Sequence, residues 1–238
     1  YLSTPLFAER EDSGIVLFNG LNRKKESFFP TSSGKVSMHT CGPTVHDRLR
    51  VVDCRRYVFA DLLRRYLAYR GFDVRHIVNI TDLDDKTIQG SEAAGQDLRT
   101  FTQHYTDLFL QDMAFLGVRP ADHTPRASDH VDDMVQMARQ LVRKGFAYEK
   151  LRSLYFDISR FADYGRLSGI DLDKIRLGHT VDLDEYEKEN PRDFTLLKRA
   201  RLSELKRGLF TKTEWGNVRP SWHIQCAAMA TQYFGETV

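Results

Sequence analysis

Apolar and polar positions recur along this chain with two periods, and the period predicts the element. Residues 15–18 form a short apolar strand, followed by a charged turn over 22–26. After the loop-forming Thr31-Ser32-Ser33-Gly34, residues 36–40 alternate as a strand and deliver Cys41-Gly42-Pro43-Thr44. Helical spacing then takes over, with Val58, Leu62, Leu63, Tyr66 and Leu67 on one face of a long helix that ends near Arg70-Gly71. A second strand, DVRHIVNI at 73–80, completes the order strand, helix, strand, which at this spacing predicts a parallel βαβ crossover.

Further on, Leu98, Phe101, Tyr105, Phe109 and Met113 mark an amphipathic helix over 97–116, closed by Gly117. Residues 120–125 read as a linker. Ser128 or Asp129 then caps a helix whose apolar face carries Val131, Met134, Val135, Ala138 and Leu141 up to Gly145, its methionines serving as core. Residues 153–158 alternate as a strand, 161–169 form a compact loop, and the acidic run 182–189 is a solvated surface segment.

Composition narrows the class. With 238 residues, 41% hydrophobic and 29% charged, the chain is a soluble globular protein with a sizeable core. No apolar run approaches the roughly 20 residues of a membrane span, and the opening residues lack a secretory pattern, so a cytosolic, membrane-free setting is expected. A net charge of +2 is too small to establish a nucleic-acid partner by itself. The dense cations Lys198, Arg199, Arg201, Lys206, Arg207 and Lys212 either track a phosphate backbone or form a solvated helix face.

Three cysteines, Cys41, Cys54 and Cys226, are too few and too scattered for a disulfide scaffold, which leaves free thiols or a metal site. Cys41 stands where a strand hands over to a helix, the place where open α/β folds bind ligands. Thr81-Asp82-Leu83-Asp84-Asp85-Lys86 follows the second strand and reads either as a polar turn and cap or as a ligand site. Around the chain's two tryptophans, Trp215 and Trp222, the order WHIQC puts His223 and Cys226 on one helix face, or else forms a packed core helix.

Several segments together resemble the class I cysteine-tRNA ligases: LFNGLNRKKESFFP, CGPTV at 41–45, NITDLDDK at 79–86, PRASDH at 125–130, YFDISRFADYGRLSG at 155–169, DFTLLK at 193–198 and WGNVRPSWHIQC at 215–226. They come in that family's order. The resemblance implies an α/β fold with a Rossmann-like parallel sheet split by an inserted connective domain. Residues 1–14 would be a leader and 15–127 the first half of the nucleotide-binding domain. The connective domain, docking the acceptor end of tRNA(Cys), would span 128–217, and 218–238 would begin the second half. It also implies a Zn2+ ion, held in part by Cys41 and Cys226, that selects L-cysteine by accepting its thiolate. Gly42, Thr81, Trp222 and His223 would surround the substrate's amino and carboxylate groups. ATP would activate the amino acid, and Lys198, Arg199, Lys206 and Arg207 are the nominated tRNA contacts.

Two departures qualify the expectation. The family's other zinc ligands, a histidine and a glutamate, and its lysine-rich ATP loop lie further along than these residues extend. Where the family's ATP motif places a histidine, an apolar residue, a glycine and a second polar residue, this chain has Arg50-Val51-Val52-Asp53. Arg50 and Asp53 occupy the catalytic positions; Arg50 can hold a phosphate, while Val52 puts a branched side chain at the base and Asp53 a negative charge near a polyanion. Two readings stand, a ligase or an inactive paralogue that keeps a cysteine/zinc pocket or a tRNA-docking surface. Gln225 and Leu197, in place of the family's usual glutamate and tryptophan, lean to the second. A relative joining cysteine to a small amine is a weaker third.

Overall fold

The computed structural model describes residues 14–30, 32–169, 188, 190 and 192–235. The chain first forms a hairpin of β1 (Val16–Asn19) and β2 (Lys24–Ser27), paired antiparallel. The charged stretch 22–26 is therefore a turn only at its start: Arg23 adopts a φ of 57°, and Glu26 on β2 accepts from the side chains of Asn19 and Asn22, each at 2.9 Å.

β3 (Lys35–Thr40), α1 (Val51–Tyr69) and β4 (Asp73–Val78) make the expected crossover, with β3 and β4 parallel from Lys35 opposite Asp73 to Thr40 opposite Val78. Residues 120–125, expected as a linker, instead extend this sheet. Asp122 N donates to His76 O at 2.9 Å, Val78 N to His123 O at 3.1 Å and Ile80 N to Pro125 O at 2.7 Å. Pro120 and Pro125 hid the pairing from the pattern, because an edge strand accepts proline wherever no amide proton is needed.

α1 buries only part of the stripe its leucines suggest, keeping Leu67 and, partly, Leu63 inward. Tyr57, Ala60, Asp61 and Leu67 face inward, whereas Val58, Leu62 and Tyr66 are exposed. Asp61 is tolerated inside because it accepts from Arg65 Nε at 2.7 Å and from Arg119 N at 3.2 Å. The acidic run after β4 is both turn and cap: Asp84 starts α2 (Asp85–Ala93) by accepting from Lys86 N at 3.0 Å. α3 (Leu98–Phe115) keeps its expected face, with Phe101, Phe109 and Met113 buried. α4 (Val131–Arg143) buries Met134, Val135 and Ala138, but neither Ser128 nor Asp129 caps it. Ser128 is committed elsewhere, donating from Oγ at 2.6 Å and from N at 2.9 Å to the buried carboxylate of Asp82, which also takes Arg126 Nε at 3.0 Å.

β5 (Ala147–Lys150), β6 (Ser153–Phe156), β7 (Phe194–Arg199), β8 (Thr211–Thr213) and β9 (Gly216–Pro220) form an antiparallel sheet in the order β5-β6-β7-β9-β8. The short α5 (Leu202–Lys206) lies between β7 and β8, and α6 (Trp222–Phe234) follows β9. α4 and α6 cover this sheet through Met134, Ala138, Leu197, Ile224 and Met229, and Leu83 and Ile88 join the same core from the parallel half. The leader up to residue 13 and most of the acidic run 182–189 fall outside the described residues.

Charge as well as apolar packing joins the halves. Arg219, 1% exposed, donates to Glu204 Oε1 at 2.8 Å and also bonds Asp85, while Lys198, 3% exposed, donates to Asp85 Oδ2 at 2.7 Å. Burial raises the Asp85 carboxyl, but Arg219 and Lys198 outweigh it and hold it below its ordinary value. Gln225 adds a bond from Nε2 to Leu83 O at 2.6 Å. Arg219→Leu leaves the buried Glu204 carboxylate without the Arg219 cation, with the Arg201 N–H still donating to it, and is expected to cost about 3–5 kcal/mol in urea unfolding. Arg219→Leu with Glu204→Leu should recover most of that loss; a double variant as unstable as the single would refute this account.

Candidate amino-acid and metal site

The carboxyl end of β3 and the first turns of α6 meet at two thiols. Cys41 and Cys226, 185 residues apart in sequence, stand with their Sγ atoms 3.5 Å apart. The two thiols hydrogen-bond to each other. That shared bond lowers the Cys41 thiol to about 6 against the opposing effect of burial, helped by the nearby Arg56 guanidinium. The same bond, with burial and the charge on Cys41, pushes Cys226 up.

Asn79, fully buried at the end of β4, organises the surroundings. Its Oδ1 accepts from Gly42 N at 3.2 Å and lies 3.2 Å from His39 Nε2 and 3.5 Å from Cys226 Sγ, while its Nδ2 donates to Thr81 Oγ1 at 3.4 Å. Thr81 is zipped to the loop after Cys41: Thr81 N donates to Pro43 O at 3.0 Å and Val45 N to Thr81 O at 3.1 Å. On α6, Trp222 is half exposed and its ring lies tilted against that of His223, with ring centroids 3.9 Å apart. His223 in turn packs at 5.0 Å from the Phe194 ring. Of the nominated residues, Gly42, Thr81 and Cys226 are thus joined through one asparagine, Cys41 meets Cys226, and His223 and Trp222 sit at the start of the helix that carries Cys226. Asn79 itself was not nominated; its signal was a polar residue interrupting the apolar run IVNI.

The two thiols fit half of a tetrahedral zinc site. Two thiolates at about 2.3 Å from one zinc stand roughly 3.8 Å apart, close to the spacing here, and the acidified Cys41 supplies the anionic form that a metal needs. Among the described residues no group of three His, Cys, Asp or Glu side chains could hold a metal, so these residues alone do not complete a site.

Arg50 and Asp53 lie at the N-terminus of α1 and close on each other. Arg50 donates from Nε at 3.1 Å and from N at 3.2 Å to Asp53 Oδ2, which holds that carboxyl below its ordinary value. Val51 and Val52 point to solvent, 90% and 68% exposed. α1 also touches the thiol site, since Arg56 Nη1 donates to Cys41 O at 3.4 Å.

The nominated tRNA cations divide. Arg199 and Lys206 are exposed. Lys198 is not a surface cation, being buried on Asp85, and Arg207 is spent holding α2, donating to Ser91 Oγ at 2.8 Å and Ile88 O at 3.2 Å. The mixed charge pattern concealed this, because strand alternation turns Lys198 inward and Arg199 outward.

Comparison with known proteins gives the family. The family model for the class I (C) tRNA synthetase catalytic domain matches residues 27–238. The chain belongs to that family. The cysteine–tRNA ligase of Methanosarcina mazei is 46% identical over 94% of this chain and 47% of its own length, and that of Pyrococcus abyssi is 42% identical over 94% and 46%. The chain therefore spans about half the length of these relatives. The fold is also that of Mycobacterium tuberculosis methionyl-tRNA synthetase, solved with methionyl-adenylate, at a TM-score of 0.61 and 13% identity over 85% of this chain and 47% of that one. The mixed α/β architecture with its parallel sheet is thus the class I synthetase type.

Within this family member, Gly42 has a steric duty. A Cβ there would lie 1.4 Å from Asn79 O, so the backbone after Cys41 passes β4 at a distance that only glycine allows. Gly42→Ala is expected to cost about 3 kcal/mol or more of stability and to separate the thiols. Thermal unfolding together with thiol titration checks this, and an unchanged midpoint would refute it.

Proposed function

We propose that this chain forms the cysteine-recognising and ATP-facing part of a cysteine–tRNA ligase, which activates L-cysteine as cysteinyl-adenylate and transfers it to the acceptor end of tRNA(Cys). The observation that carries the reading is the meeting of Cys41 and Cys226. Cys41 and Cys226 would hold a Zn2+ ion, which supplies a soft acceptor for a thiolate and so favours cysteine over serine. The chain's own residues do the rest. Asn79 fixes the loop carrying Cys41 and the helix carrying Cys226, while Thr81, Trp222 and His223 border the space for the substrate's amino and carboxylate groups. Arg50, at the head of α1, is the donor for the phosphates of ATP once it exchanges Asp53 for the nucleotide. Residues 128–217 are the connective domain of this reading, with Arg199 and Lys206 as its exposed cations, and the setting is the cytoplasm.

ATP/pyrophosphate exchange driven by cysteine tests the reading, with bound zinc measured in the same preparation. Exchange above background is expected, and Arg50→Ala should lower it about 10²- to 10³-fold. Zinc without exchange would instead favour the inactive paralogue, for which the closed Arg50–Asp53 pair is the motivating feature. Cys41→Ser and Cys226→Ser should each lower zinc affinity by more than about 10²-fold. tRNA binding should weaken with salt, and Arg199→Ala with Lys206→Ala should flatten the slope by roughly one unit for each phosphate no longer neutralised. An unchanged slope would remove these residues from the docking surface.

A further inference from the structure

The two thiols that meet at the end of β3 carry a second chemistry. We propose that Cys41 and Cys226, when no metal lies between them, are a modification site that a peroxide closes reversibly into a disulfide. The disulfide follows from the thiol geometry alone, and only its competition with Zn2+ rests on the zinc reading of this site.

The pair stands a short movement away from a bond. The Sγ atoms are 3.5 Å apart and a disulfide needs about 2.05 Å, so roughly 1.5 Å of approach closes it. The backbone on both sides is fixed. Asn79 Oδ1 and the Thr81 backbone hold the loop after Cys41, and Gln225 holds the first turns of α6 on Leu83 O. Two reactants held face to face in this way react as a unimolecular pair, which favours a link within the chain over one between chains.

Access separates the roles. Cys41 is exposed, whereas Cys226 is only partly so. Cys41 is therefore the thiol that a dissolved peroxide meets: its sulfur attacks one peroxide oxygen, the O–O bond breaks, and the departing hydroxide takes up the proton Cys41 released. Cys41 is left as a sulfenic acid. Cys226 is the resolving thiol. Its sulfur attacks the Cys41 sulfur, the S–S bond forms as the S–O bond breaks, and the second hydroxide leaves as water with the Cys226 proton. In total the two thiols give up two electrons and two protons, and one hydrogen peroxide becomes two waters. Cys54, the third cysteine, takes no part, its thiol donating to Arg50 O at 3.5 Å within α1.

Metal and disulfide exclude each other, because a metal needs both sulfurs as thiolates and oxidation consumes them. Peroxide thus withdraws the site, and a dithiol reductant restores it.

Hydrogen peroxide added to the metal-free whole chain tests the proposal, read by thiol titration and by peptide mapping without reduction. Titratable thiols should fall from three to one, a Cys41–Cys226 peptide should appear within single chains, and dithiothreitol should restore all three. Cys54→Ser should form the same link at the same rate, and Cys41→Ser should slow loss of the Cys226 thiol by about tenfold or more. Sulfinic acid at Cys41 with no link, a link through Cys54, or links only between chains would each overturn the proposal. Loading with Zn2+ beforehand should slow the link by about tenfold or more. A link that forms equally fast with Zn2+ present would refute zinc at these thiols and uphold the disulfide.

Discussion

The buried charge cluster of Asp85, Lys198, Arg219 and Glu204 is the constraint on which the candidate site depends. Two cations and two carboxylates from α2, β7, β9 and α5 neutralise one another, three of them buried and Asp85 partly so. Such a cluster adds little net stability over an apolar equivalent, but it admits only one arrangement of partners. β9 leads through Ser221 directly into α6, so fixing Arg219 fixes where α6 begins. Gln225 then pins the next turn to Leu83, and Cys226 arrives opposite Cys41.

Asn79 completes what the cluster begins. A strand end that was entirely apolar would leave Gly42 N without its acceptor and the Cys41 loop held only by its backbone bonds to Thr81. The amide binds three elements at once, the loop after β3, Thr81, and Cys226 on α6. The thiol pair is therefore held by residues that carry no reactive chemistry themselves, which is the usual requirement for a preorganised metal or substrate site. At the other end of the loop the Arg50–Asp53 pair is exposed and not locked by packing, so the two parts of the candidate site differ in rigidity as well as in composition.

Local patterning read some elements well and others wrongly, for identifiable reasons. β3, β4, α3 and α4 were legible because their periodicity agrees with the face they bury. α1 was misread in part because it has apolar residues on two faces: Leu67 and Leu63 pack inward as expected, but burial otherwise went to the stripe holding Tyr57, Ala60 and Asp61, the last accepting from Arg65 one turn on and from Arg119 N across the fold. Residues 120–125 looked like a linker because prolines signal breaks, while the sheet edge accepts them. Lys198 looked like part of a basic surface because its neighbours in sequence are cations, and no local rule reveals Asp85 waiting across the fold.

The sequence by itself determined the family, through motifs in a fixed order, and nominated the two cysteines as a pair. It also determined the βαβ crossover, since hydrophobic period is a local property. Only the tertiary structure decided that Cys41 and Cys226 approach to 3.5 Å, that Asn79 bonds Gly42 and Cys226 beside them, that Lys198 is internal, and that Arg207 is tied to α2. The physical reason is common to all four. Contacts between residues far apart in the chain depend on which side chains the packed core turns inward, and that choice is made by the whole set of burial and pairing energies together.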